Sequence, residues 1–411
     1  MLVLLVNFIA YAFLLIYSIK QKKYIISNIY CLSLWFLGAL FSIFYYFTPF
    51  FQEYNKYRQI TILPFLYLFV LFVLFYNGIK LNQDVKKVKW CKSPIVYPLI
   101  LIISISAYLP FFEHIRELLF GSFSLENIAD IKQDYYNGDI DIFYYMSPWG
   151  ARFNSIAVRF SFVIPILLFY YLVYWKSYNK IVLIGLVLSV INPVLQNMIV
   201  GGRGSLVQTA IYFVLVFMFF RNLLQEKIRV MMKKIMLFLG LAALGAFIVT
   251  TIFRFTSSNY EDVAVSDWFI RYFGESFCNF NTECWYFKKN TLGHNTLAYF
   301  IEDDGLRNYL KLESVTGIRM NVYFTMFGDI LLDFGYYITP LIFVLLFFLG
   351  RMFKPQNGII DLPSLFIFSL LSFVFIQGLF IWPLINKMNA AVTTIVLYFV
   401  VKLTIPQTKK Y

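Results

Sequence analysis

The side chains able to do chemistry in this chain are arginines and carboxylates at the margins of long apolar runs. The segment Gly201-Gly-Arg-Gly-Ser-Leu206 interrupts about forty otherwise apolar residues. Its glycines let a ligand approach the backbone closely, and Arg203 offers a planar five-donor fork suited to phosphate or carboxylate. An arginine at membrane depth is costly unless it is paired or lines a wet cavity, which marks it as a functional candidate. The alternative is a cation that snorkels to the surface and orients its helix pair. Arg254 stands where another apolar run emerges, Arg271 lies on an amphipathic stretch, and Arg319 precedes a further run; Arg152 and Arg159 lead into 156–175. Several arginines converging on one mouth would suit a pyrophosphate through bidentate, charge-assisted hydrogen bonds. Some are expected to pair with nearby acids and hold loops together.

The carboxylates are as pointed. Asp329 and Asp333 are four residues apart and share a helix face. Carboxylates at the membrane rim do not face lipid, so they pair with arginines, bind sugar hydroxyls or serve as a base. The candidate bases are Glu275, His294 and Asp329. Histidine is the side chain that titrates nearest neutrality. Glu275 follows Gly274, and desolvation there would raise its pKa as a general base requires. The sequence leaves these three open. Trp149, Trp268, Trp285 and Tyr286 could stack on sugar rings or sit in an aromatic belt.

Membrane helices must position these groups. Of 411 residues, 60% are hydrophobic and only 14% charged, against roughly 25% charged in an ordinary soluble domain. Spans are expected near 1–18, 24–48, 60–78, 95–112, 156–175, 181–200, 205–220, 235–253, 321–350, 363–382 and 388–403. This makes an all-α polytopic chain of about eleven helices forming a single integral membrane domain 1–411. The first lacks a basic leader and a small-residue cleavage site, so it stays as a span. Loops at 20–23, 80–92, 176–180, 221–234 and 351–354 and the tail 402–410 fall on one side. They are rich in Lys and Arg, with only Asp84, Glu226 and the nearby Asp361 among the acids. That side is cytoplasmic by the positive-inside rule, which puts the N-terminus outside and the C-terminus inside. The net charge of +13 is therefore topology, and no basic stripe with a nucleic-acid fold motif appears. The external polar regions are 113–155, 201–206 and 254–320. In the last, 268–277 reads as an amphipathic helix lying in the interface. Cys278 and Cys284 are six apart in that loop, where a disulfide is possible outside the cytoplasm. No Cys/His cluster has zinc spacing.

The Gly-Gly-Arg-Gly-Ser hairpin at 201–205, the Gly-Glu-Ser-Phe-Cys-Asn-Phe-Asn run at 274–281 and the Tyr-Phe-Thr-Met-Phe-Gly-Asp-Ile-Leu-Leu-Asp-Phe-Gly run at 323–335 occur in that order. With them the chain resembles a bacterial O-antigen or capsular repeat-unit polymerase of the Wzy type. The resemblance implies a GT-C-like fold and a metal-independent glycosyltransferase with no cofactor. Such an enzyme acts on undecaprenyl-diphosphate-linked oligosaccharide in the bacterial cytoplasmic (inner) membrane. It implies that Arg203 and Arg319 neutralise diphosphate, with Arg254 and Arg271 competing for a second arginine role. Glu275 and His294 would border the acceptor, and Asn281, Asn321, Tyr323 and Asp333 are glycan-binding candidates. The implied partners are the lipid-linked glycan, membrane lipid and a chain-length regulator, with no nucleic acid. A flippase for the same lipid should show an internal repeat, which is not visible. An O-antigen ligase shares the plan and differs in acceptor.

Overall fold

A computed structural model describes residues 1–21, 25–54, 58–121, 143–175, 179–199, 204–237 with 240, 245 and 248, 264–302, and 307–406. The chain is mostly helical, in keeping with an all-α membrane protein. It divides into two compact units, Met1–Asp84 with Val263–Asn357 and Leu370–Met388, and Val85–Asp262 with Gly358–Ser369 and Asn389–Tyr411.

The first unit begins with α1 (Leu2–Lys20), α2 (Ile26–Tyr45), the short α3 (Pro49–Tyr54) and α4 (Ile62–Ile79). The second holds β1 (Lys87–Lys89), α5 (Val96–Ser106), α6 (Tyr108–Phe120), α7 (Pro148–Arg159), α8 (Ile164–Tyr174), α9 (Lys180–Ile199), α10 (Gly204–Phe220) and α11 (226–237). The chain returns to the first unit with α12 (Val265–Thr282), α13 (Ala298–Ile301), α14 (Tyr309–Thr316) and α15 (Thr325–Phe353). It ends with β2 (Ile359–Asp361), α16 (Leu362–Gln377) and α17 (Met388–Leu403).

Among the described residues, six helical stretches are long and apolar enough to cross a bilayer: α1, α2, α4, the run Val96–Phe120, α9 and α15. A seventh forms if α7 and α8, bent by 78°, count as one. α10, α16 and α17 are apolar but shorter, and most of the expected span 235–253 lies outside the described residues. One feature departs from an all-α chain: β1 and β2 pair in parallel, Lys87 opposite Ile359.

In the second unit, small residues let α5 and α9 meet backbone to backbone. A Cβ on Gly185 would lie 2.3 Å from the Ser104 carbonyl oxygen. The Ser104 and Ser189 hydroxyls donate across the same seam to Val182 and Ile103 carbonyls, the small-residue packing that apolar helices use in lipid. His114 is buried there between Tyr145 and Asn154, whose amide donates to Gln196.

The first unit turns on two constraints. Asparagine side chains clamp both ends of α4, each pairing with a backbone N–H and C=O. Asn281 holds Thr61 and Asn28 holds Leu81. The second constraint is a break in α15, where Gly335 has φ 73° and ψ 179°, a region essentially restricted to glycine. Pro340 lies five residues on and brings no N–H to the ladder. The carbonyls around the break find other donors. Leu332 accepts from the Thr291 N–H, Asp333 from the Leu292 N–H, Gly335 from the Thr339 hydroxyl and Tyr336 from the Tyr67 hydroxyl. Irregular backbone is tolerated at membrane depth only when protein satisfies it in this way.

Gly335→Ala is expected to cost about 1–3 kcal/mol, because its Cβ would also lie 3.1 Å from the Asn290 amide. The check is the thermal unfolding midpoint in detergent. Gly204→Ala, where no described residue stands within 4 Å of the added Cβ, should leave the midpoint in place.

Candidate functional site

Trp149, Arg152, Arg159 and the tip residues 204–206 belong to the second unit; most of the described candidates belong to the first. Their frame is α12. Of the expected interfacial helix 268–277, residues 268–273 are half-buried, while 274–277 belong to a run, 274–284, that is buried in the protein throughout. α2 presents Gly38 and Ser42 to it, and a Cβ on Gly274 would stand 2.4 Å from the Phe41 carbonyl oxygen. The apolar face therefore meets protein, with Phe277 among Tyr11, Trp35 and Phe65.

Ion pairs organise the cap above it. One helical turn brings Arg271 Nε 2.8 Å from Glu275 Oε2, and the guanidinium lies over the rings of Phe50 and Trp268. Arg319 pairs closely with Glu283 through two nitrogens. Glu275 is 4% exposed. Burial pushes its carboxyl above the usual carboxylate range; Arg271, the Tyr323 backbone N–H and Arg319 pull the other way. Tyr272, Tyr323 and Phe380 form an aromatic cluster beside it. The Asn279 amide donates to the Tyr323 carbonyl.

A second polar centre lies at the start of α15. Thr325 there has φ 68°, strained for a β-branched residue, and its N–H donates to the Phe380 carbonyl. Asp329 accepts from the Asn295 amide at 3.2 Å and from the Trp382 N–H at 2.7 Å, and Arg307 lies 3.7 Å away. Each of these three neighbours has a further buried polar atom with no hydrogen-bond partner among the described residues: Asn295 Oδ1, Trp382 Nε1 and Arg307 Nε. Such atoms ask for a ligand or an ordered water. Asp333, one turn on, is enclosed by the loop 291–296. Its oxygens accept from the Thr291 and Thr296 hydroxyls and from the N–H groups of Gly293, Asn295 and Thr296.

Placement sorts the candidates. Arg203 and Arg254 lie outside the described residues. Arg271 with Glu275, Arg319 and Tyr323 come together, and Asp329 lies a few residues along the same segment. Asn281 is buried against Thr61 and Asp333 within its loop. Asn321 is exposed on the surface. His294 pairs with Glu302, which also binds Lys311 at 3.2 Å. The His294 hydrogen bond, then Lys311, holds the Glu302 carboxyl below its ordinary range. Cys278 and Cys284 are free, buried thiols facing the Ser42 and Gly328 carbonyls, so no disulfide joins them. Arg307, Asn295 and Trp382 were not signalled by the sequence. Arg307 sits in a polar stretch without periodicity, and its burial depends on Asp329, 22 positions away. No protein-family model, curated protein or solved structure matches the chain.

Glu275 and Glu302 should leave opposite marks on stability. A carboxyl raised by folding contributes stability that is lost as pH climbs from about 4.3 through the folded value; one lowered by folding loses its contribution as pH falls below about 4.3. In thermal midpoints measured from pH 3 to 8, Glu275→Gln should flatten the decline on the alkaline side. Glu302→Gln should flatten the decline on the acid side.

Proposed function

We propose that this chain joins undecaprenyl-diphosphate-linked oligosaccharide repeat units into O-antigen or capsular polysaccharide at the outer face of the bacterial cytoplasmic membrane. It does so on a GT-C-like frame of eleven spans, with the N-terminus outside and the C-terminus inside. The observation that carries the reading is Glu275, a buried carboxyl raised by desolvation, in ionic contact with Arg271 and within the field of Arg319. Arg58 reaches the Thr282 carbonyl, and Trp382 reaches Asp329.

In this mechanism the acceptor hydroxyl gives its proton to Glu275, and its oxygen bonds to the anomeric carbon of the donor. The bond from that carbon to the diphosphate oxygen breaks, and undecaprenyl diphosphate leaves with the electron pair. Protonation of Glu275 removes the anionic partner of Arg271. That guanidinium then turns to the departing diphosphate, with Arg319 as a further cation. Preorganised donors in a low-dielectric site stabilise charge that develops in the transition state. The base contributes about 10²–10⁴-fold.

Deletion of the gene should collapse the surface-glycan ladder to an anchor bearing one repeat unit. Complementation with Glu275→Gln or Arg319→Ala, at membrane levels matched by immunoblot, should restore less than about 1% of the polymer. Loss of even the single unit, with lipid-linked units accumulating inside, would identify a flippase. Polymer retained on its carrier would identify a ligase. An unchanged ladder contradicts every glycan reading.

A further inference from the structure

The loop between α12 and α15 has two unlike faces. Inward, it supplies Asn295 and Arg307 to Asp329 and closes on Asp333. Outward, it exposes large apolar side chains: Leu292 at 74%, Phe300 at 61% and Leu310 at 80%. Water-facing loops do not ordinarily present such a series, and contiguous apolar exposure marks a contact surface.

The neighbours of this surface point to its occupant. Beyond the break, α15 leaves Tyr337, Ile338 and Leu341 exposed, the face an apolar span turns to lipid. Leu292 stands at the break, its N–H on the Asp333 carbonyl, and the preceding Asn290 lies against Gly335. From Leu292 the surface passes to Ile301, whose Cδ1 would be 2.9 Å from a Cβ on Gly293. Tyr299 and Phe300 adjoin it on α13. The Lys311–Glu302 pair ties Leu310 to the end of α13. Among the described residues, exposed apolar side chains thus occur both on the lipid-facing side of α15 and on the loop that packs against its break. Exposed Lys288 and Lys289, with tyrosines 299 and 309, edge it. Lysine and tyrosine are the residues that settle at the level of lipid phosphates.

We propose that α13 and the first turn of α14 are immersed in the bilayer, so that the loop carrying Asn295 and Arg307 is floored by lipid. This rests on the span reading and not on the polymerase reading. The site at Asp329 would then border the membrane, where a lipid-tailed ligand could reach it by lateral diffusion.

The test uses the full chain in phosphatidylcholine–phosphatidylglycerol vesicles, with a nitroxide on Phe300→Cys or Leu310→Cys. Leu341→Cys is the lipid reference and Ser314→Cys the water reference. The four native cysteines are buried, and the unsubstituted protein gives the labelling background. Collision of the labels at 300 and 310 with oxygen should exceed collision with a water-soluble nickel chelate, as at 341. Preference for the chelate, as at 314, would overturn the proposal. So would exclusion of both reagents, which would mean that a second copy or another protein covers the surface.

Discussion

The first unit depends on one carboxylate, that of Asp333, at the end of the N-terminal half of a broken helix. A helix interrupted at membrane depth leaves carbonyls and amides that lipid cannot satisfy. Here the loop 291–296 supplies the missing partners, and Asp333 returns the bonds by accepting from three of the loop's amides and two hydroxyls. The exchange fixes Asn295 against Asp329 and brings Trp382 and Arg307 to one carboxylate. Among the described residues of the loop the helices are short: α13 has four residues and α14 eight.

Charge is handled in the same closed manner. Arg271, Arg307 and Arg319 each face a buried carboxylate. An uncompensated charge in such surroundings costs several kcal/mol, so these cations do not wait bare for a ligand. Any anion they bind must replace a carboxylate or arrive as one is protonated. Glu275 is suited to that exchange, because burial already favours its neutral form. His294 and Glu302 are more accessible and already satisfy each other and Lys311.

Local spacing was legible where the physics is local. The i,i+4 pairing of Asp329 with Asp333 on a face turned from lipid, the desolvation of Glu275 and the long apolar helices follow from neighbours in sequence. Arg271 and Glu275 are also four apart, and their pairing was there to be read, although each was assigned a separate role. What stayed hidden depends on distant chain. Asn281 clamps a backbone 220 residues away. Arg307 is buried only because Asp329 comes to it. The periodicity of α12 shows an apolar face without saying that a stripe of small residues on α2 would cover it. Arg203, the most conspicuous cation of the sequence, lies outside the described residues.

The most direct test of the Asp333 constraint is hydrogen exchange across 291–297 in the detergent-solubilised protein, wild type against Asp333→Asn. The amides of Gly293, Asn295 and Thr296 should be protected in the wild type and exchange at least about tenfold faster in the variant, since one such bond is worth about 1–3 kcal/mol. Residues 341–350 of α15 should exchange equally in both. Rapid exchange at 293–296 in the wild type, or unchanged protection in Asp333→Asn, would contradict the account.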